Sequence, residues 1–330
     1  METKFKSVGI MGTGFYVPEK VLTNFDLEKI VDTTDEWIRT RTGIKERRIA
    51  SDKEAASDLA IKASYKALED TKIYPAEIDL IVVATLSPDM LFPSTACLVQ
   101  KSIGAAKAVA FDIEAACSGF IYGLSIAQQY LQNETYKTAL VIGVEIFSRI
   151  IDWQDRNTCV LFGDGAGAVV LKTGENGKGI IYTQLGADGS GADLLKQPAG
   201  GSRLPASHET IDQRLHYLKM NGREVYKFAT KSMIETIMNG LSKIGLSSKD
   251  IDLLIPHQAN IRILECVAKK IDLPMEKVFV NVDRYGNTSS ASIPIALSEA
   301  IQRGRIKKDD IVVLVSFGAG LTWGVSIVKW

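Results

Sequence analysis

The sequence predicts an α/β protein made of two similar halves, and three pairs of segments carry that prediction. Asp79-Leu80-Ile81-Val82-Val83-Ala84 is an acidic residue followed by a run suited to a buried strand. Asp252-Leu253-Leu254-Ile255-Pro256 repeats that form about 173 positions later. The strand leading to Cys117 has a counterpart in residues 277–282, which lead through Tyr285-Gly286 to Asn287, about 170 positions beyond the cysteine. Thr138-Ala139-Leu140-Val141-Ile142-Gly143 matches Asp310-Ile311-Val312-Val313-Leu314-Val315 at about 171. A near-constant offset across three elements implies two β-α-β-α successions related by a pseudo-twofold. That symmetry places Cys117 and Asn287 at equivalent strand–helix corners, and active sites in open α/β sheets gather at such strand ends.

The first half is expected to span residues 1–173 and the second 218–330. Between them, residues 174–217 read as a connecting region, rich in glycine and polar residues. Ser7 to Met11 reads as a first strand ending in Gly12-Thr13-Gly14. This is not a dinucleotide fingerprint, because Val17-Pro18 follow where a helix would have to begin. Helical patterns run over residues 33–40, with Thr34 or Asp35 as cap, and over 55–70. Between them lies Arg39-Thr40-Arg41-Thr42-Gly43-Ile44-Lys45-Glu46-Arg47-Arg48, a locally basic run suited to solvent or to a polyanionic ligand. Gly163-Asp164-Gly165-Ala166-Gly167 precedes a strand and lacks the Lys-Ser/Thr of a phosphate loop, so it reads as tight backbone packing.

Composition removes several function classes. The 39 basic and 39 acidic residues cancel, which argues against nucleic acid or an acidic membrane as a bulk partner. No apolar run approaches the roughly 20 residues of a membrane span, and METKFKSVGI has no signal-peptide core. Cys97, Cys117, Cys159 and Cys266 are far apart, so neither a metal site nor a disulfide framework is suggested, and a cytoplasmic setting is expected.

Cys117 stands where VAFDIEAACSGFIYG passes from strand to helix. Unpaired N–H groups and the helix dipole there favour thiolate, so a thiol pKa below the usual roughly 8.5 is expected. His208 and His216 fall in loosely patterned sequence, whereas His257 follows a strand within Pro256-His257-Gln258-Ala259-Asn260. Thiol, imidazole and amide at strand ends of one inferred layer form a working acyl-transfer set.

The stretches DTTDEWIRTRTGIKERRIA, FPSTAC, AACSGF, DRNTCVLFGDGAGA, PHQANIRI, YGNTSSASIP and SFGAGLTWG resemble the β-ketoacyl-acyl carrier protein synthase III family. These are the initiating condensing enzymes of bacterial type II fatty-acid synthesis, in the thiolase superfamily. The resemblance covers essentially the whole chain in order. It implies a thiolase-like fold, two β-α-β-α-β-α-β-β halves in a five-layered α-β-α-β-α arrangement. It implies that Cys117 takes an acyl group from acyl-CoA as a thioester. Malonyl-acyl carrier protein then loses CO2, and the enolate attacks that thioester to give 3-oxoacyl-acyl carrier protein. His257 and Asn287 would donate to the malonyl thioester oxygen, and the backbone N–H groups of Cys117 and Ala319 would form the oxyanion hole. Many relatives carry glycine at the position of Ala319, a change that keeps the N–H.

The resemblance further implies that Trp37 and Arg156 sandwich the CoA adenine, that Thr33 and Arg41 contact adenine and phosphate, and that Gly222 and Asn260 line the pantetheine tunnel. An acidic carrier protein would meet Lys227, Arg262, Lys269 and Lys270, with Gln258, Ala259, Asn260 and Ile261 joining that rim to His257. Phe92 would cross a homodimer interface to close the partner's acyl pocket. No cofactor or metal is implied, acyl-CoA being a substrate. The runner-up is a related ketosynthase of secondary metabolism with another primer or acceptor; a non-catalytic carrier-binding relative would not need Cys117, His257 and Asn287.

Overall fold

The computed structural model describes residues 6–174 and 178–330, so residues 1–5 and 175–177 of the expected connection lie outside the described residues. Five strands form the first sheet in the order Ser7–Tyr16, Gly165–Gly174, Thr138–Glu145, Leu80–Ala84, Val109–Ile113. The second sheet runs Gly179–Ala187, Thr322–Lys329, Ile311–Gly318, Leu253–Pro256. Both pair antiparallel through their first three members and parallel thereafter. Register repeats too: Leu80 faces Ala139, and Leu253 faces Val312. The acidic residues that open the repeat do the same work in each sheet. Asp79 Oδ2 accepts from Lys137 N (2.8 Å) and Thr138 N (3.1 Å), and Asp252 Oδ2 accepts from Ile311 N at 2.8 Å. Each carboxylate thus satisfies the N–H that opens the neighbouring strand.

Helices Gly119–Gln132 and Ser292–Gln302 lie between the sheets and share one core with Val82, Val141, Ile255 and Leu314. Ala56–Glu69 and Thr95–Ile103 cover the outer face of the first sheet. Gly222–Lys243 and Ile261–Lys270 cover that of the second. The result is the five-layered thiolase-like arrangement. Helix type follows layer. Ser292–Gln302 buries nine of its residues in a row because both sides meet a sheet. Ile261–Lys270 buries Ile263, Leu264, Val267 and Ala268 and leaves Arg262, Lys269 and Lys270 outside, the stripe of a surface helix.

Four expectations are corrected. Residues 277–282 do not form a strand; only Val278 bridges to Leu254, because the turn Met275–Lys277 and the helix Val282–Tyr285 take up the flanks. Gly179–Ala187 is the edge strand of the second sheet rather than part of a connection, its bounding glycines having masked a pairing with Thr322–Lys329. The first strand runs on through Gly12 and Gly14 to Tyr16. Those glycines let it lie on the helix Ala56–Glu69, where a Cβ at 14 would stand 2.3 Å from Ala67 N. Finally, the symmetric partner of Cys117 is Ser290, not Asn287. The left-handed residues Ala116 (φ 46°) and Ser289 (φ 49°) open equivalent 3-10 turns, Ala116–Ser118 and Ser289–Ala291, and Asn287 precedes the second turn.

Candidate active site

Cys117 sits in the turn that feeds the helix Gly119–Gln132, buried to 7% exposure. Its neighbour Gly318 ends a central strand of the other sheet, and a Cβ there would stand 2.7 Å from Cys117 N. A side chain at 318 would therefore cover the Cys117 amide. Ser316, on the same strand, donates to Cys117 O at 2.7 Å and holds the turn. The thiol itself departs from expectation. Burial pushes it up to about 12, the Ser289 hydroxyl opposes that rise, and the Glu145 and Glu114 carboxylates add to it. The helix start is present, but desolvation outweighs it.

His257 follows Leu253–Pro256 and extends its ladder through an N–H to Val315 O at 2.8 Å. Its Nδ1 lies 2.7 Å from Ser292 Oγ, and that hydroxyl accepts from Gln258 N at 3.3 Å. When Ser292 gives its proton to Nδ1, the neutral ring carries its own proton on Nε2. Nε2 is buried and has no partner among the described residues. Burial also holds the imidazole near pKa 3, so it is neutral at physiological pH. Asn287 is fixed by its backbone, N to Leu161 O (2.8 Å) and O to Gly163 N (3.0 Å). Its Oδ1 accepts from Ser289 N at 2.9 Å, which leaves the amide hydrogens of Nδ2 as donors.

Cys117, His257 and Asn287 line one cavity of about 370 Å³, together with Gly222, Ala259, Asn260 and Gly318. A second cavity, of about 270 Å³, opens on the other side of Cys117. Leu86, Phe147, Ile150, Phe162 and Leu218 line it, Ala319 borders it, and Phe147 and Phe162 stack at 4.4 Å. The cysteine thus stands where a larger cavity meets a smaller apolar one.

Trp37, Arg41 and Arg156 come together, and Arg156 Nη1 donates at 2.8 Å to the carbonyl of Asp32, the neighbour of Thr33. Arg156 Cζ lies 4.9 Å and Arg41 Cζ 5.1 Å from the Trp37 ring centre. A base between Trp37 and Arg156 would need roughly 7 Å, two van der Waals spacings, so the expected sandwich is closed and must part to admit one. Thr33 Oγ1 is buried without a partner among the described residues. Asn157, beside Arg156, lines the larger cavity and places the cluster by its mouth.

On the expected basic rim, Arg262, Lys269 and Lys270 are exposed, while Lys227 is tied to Glu224 at 2.7 Å. Gln258 is not on a rim. It is 1% exposed, its Nε2 donates to Pro256 O and Phe279 O, and its Oε1 accepts from Asn281 N. Ala259 is buried as cavity lining, and Ile261 is half-buried against Gly43. Phe92 is 84% exposed beside Leu91 at 86%. Arg223 and Tyr226, at the mouth of the larger cavity, were not anticipated; an exposed helix start carries no sequence signal for them. No group of three or more His, Cys, Asp or Glu able to hold a metal occurs among the described residues.

Comparison with known proteins decides the family. Residues 111–189 match the model of 3-oxoacyl-[acyl-carrier-protein] synthase III, and residues 241–330 match that of its C-terminal part. A β-ketoacyl-[acyl-carrier-protein] synthase III of Caldanaerobacter subterraneus subsp. tengcongensis is 59% identical over 98% of both chains. One from Clostridioides difficile is 56% identical over 100% of this chain and 99% of its own. The chain belongs to the β-ketoacyl-[acyl-carrier-protein] synthase III family. A solved member from Aquifex aeolicus superposes with a TM-score of 0.91 at 50% identity, covering 98% of this chain and all of that one. Family membership makes the chain a condensing acyltransferase of the initiating step of fatty-acid synthesis.

Proposed function

We propose that Cys117 accepts a short acyl group from acyl-CoA and that His257 and Asn287 then drive decarboxylation of malonyl-acyl carrier protein. The observation that carries this division is the pairing of two neutral donors on one side of the thiol. Among the described residues His257 Nε2 is buried and unpartnered and the Asn287 amide hydrogens are free, in the cavity that also reaches Cys117. Loss of CO2 builds negative charge on the malonyl thioester oxygen, and preorganised donors in a dry cavity stabilise it by roughly 10²–10³-fold in rate per donor. A neutral imidazole donates there without a charge to desolvate. The acyl chain enters the smaller apolar cavity, and its tetrahedral oxygen meets the N–H groups of Cys117 and Ala319.

The larger cavity serves as the pantetheine tunnel, past Gly222 and Asn260, with Thr33, Trp37, Arg41 and Arg156 receiving the CoA nucleotide. Carrier protein docks on Arg262, Lys269 and Lys270, with Lys227 after release from Glu224. Gln258 leaves this set. A cytoplasmic homodimer completes the reading. Met90, Leu91 and Phe92 present exposed apolar surface, and Val109–Ile113 is an outer strand of its sheet with Val109 44% exposed, the kind of edge a second copy would cover. The first half, ending near residue 173, supplies the nucleophile, and the second supplies both donors.

The test is condensation of acetyl-CoA with malonyl-acyl carrier protein against malonyl-CoA. Product with the carrier substrate supports the reading; turnover of malonyl-CoA alone contradicts it.

A further inference from the structure

Glu145 ends the strand Thr138–Glu145 fully buried. Its Oε2 accepts from Ser87 Oγ (2.7 Å), Leu86 N (3.2 Å) and Thr85 Oγ1 (3.4 Å). Its Oε1 meets Ser290 Oγ at 2.9 Å and Ser289 Oγ at 3.2 Å. None of these partners is cationic. A buried carboxylate without a counter-ion is costly, and burial pushes this one up to about 7. The proton inventory agrees. Ser290 has one hydroxyl proton but stands 2.9 Å from both Ala84 O and Glu145 Oε1. A protonated Glu145 satisfies both contacts by donating to Ser290, and an ionised one competes with Ala84 O for that proton. The pocket is built to hold either state.

The turn bearing Ser289 packs against the turn bearing Cys117, and the Ser289 hydroxyl lies close enough to the thiol to oppose the rise in its pKa. We infer that Glu145 is the proton acceptor for the Cys117 thiol, reached through the Ser289 hydroxyl. This rests on the reading of Cys117 as nucleophile. The thiol proton passes to Ser289 Oγ as the proton of Ser289 passes to Glu145. The thiolate attacks the acyl carbonyl and the bond to CoA sulfur breaks. The CoA thiolate takes its proton from solvent, and Glu145 keeps the thiol proton until condensation frees the Cys117 thiolate, which takes it back through Ser289. Protons balance, and one negative charge moves between carboxylate and sulfur. The charges bearing on that thiol are Glu145 and Glu114; His257, at the end of the facing strand, stays neutral.

Single-turnover acylation by acetyl-CoA, read by quenched-flow mass spectrometry, tests this. Wild type should give one adduct, absent in Cys117→Ala, with a rate that rises with pH through about 7. Ser289→Ala keeps the backbone N–H that holds Asn287, yet should slow acylation on the order of 10²-fold and lose the pH limb. Glu145→Gln should do the same, and Glu145→Asp should recover part of the rate. A wild-type or faster rate in Ser289→Ala or Glu145→Gln overturns the relay, since removing a merely repulsive carboxylate would speed the thiol. If Glu145→Gln does not fold, Ser289→Ala decides. Absence of any adduct in wild type instead overturns the reading of Cys117 itself.

Discussion

The corner at Cys117 and the corner at Ser290 are built on one plan and serve opposite ends. Each follows a left-handed residue, Ala116 or Ser289, and each starts a helix of the central layer. What differs is the residue that ends the strand facing it. Opposite Cys117 that strand ends in Gly318, which leaves the Cys117 amide bare and a cavity on either side of the thiol. Opposite Ser290 it ends in Glu145, whose carboxyl fills the space and gathers the hydroxyls of Ser87, Ser289 and Ser290. One corner is open because a side chain is missing; the other is sealed because a side chain is present.

The contrast can be broken most sharply at the nucleophile. Cys117→Ala should abolish condensation, whereas Ser290→Ala should leave Cys117 open to acylation and cost only about 1–3 kcal/mol of stability, from the lost buried hydrogen bond, by chemical denaturation. Next comes the donor side. Asn287→Ala should lower decarboxylation of malonyl-acyl carrier protein roughly 10²–10³-fold while acylation of Cys117 proceeds, and equal loss of both steps would contradict the division of labour.

Two glycine substitutions sharpen the comparison further. At 318 an added Cβ would stand 2.7 Å from Cys117 N, so Gly318→Ala should lower kcat and also cost about 1–3 kcal/mol of stability. At 143 the Cβ would stand 2.3 Å from Ser290 O, so Gly143→Ala should cost about 1–3 kcal/mol or more of folding stability.

The smallest expected effect is on stability against pH. Glu145 holds its proton up to about 7, above the ordinary value of roughly 4.3. Its contribution is complete at low pH and is lost as pH rises through 7. Wild type should therefore lose about 2–4 °C of Tm between pH 5 and 8 that Glu145→Gln does not lose. His257, near 3, has the opposite sign: its contribution is complete above roughly 6.5 and fades as pH falls toward 3.

The repeat, the meeting of Cys117, His257 and Asn287 at one cavity, and the family were legible because strand ends and flanking motifs are local signals. The equivalence of Cys117 with Ser290 was not, since the segments between strand and turn differ in length between the halves and shift the apparent offset. Gln258 read as rim because it is polar and follows a strand; only the fold shows its amide turned inward. The thiol was expected to be acidic from its helix start, but desolvation is a property of the closed interior. Glu145 escaped notice for the same reason, being one acidic residue at the end of an apolar run. Cavity walls such as Phe147, Phe162 and Leu218 come from distant segments and carry no shared pattern.

The most direct measurement is peptide mapping after incubation of the whole protein with acetyl-CoA. The account predicts a single acetyl thioester on the peptide containing Cys117, with Ser290, Cys97, Cys159 and Cys266 unmodified. An adduct on another residue, or none at Cys117, would contradict it.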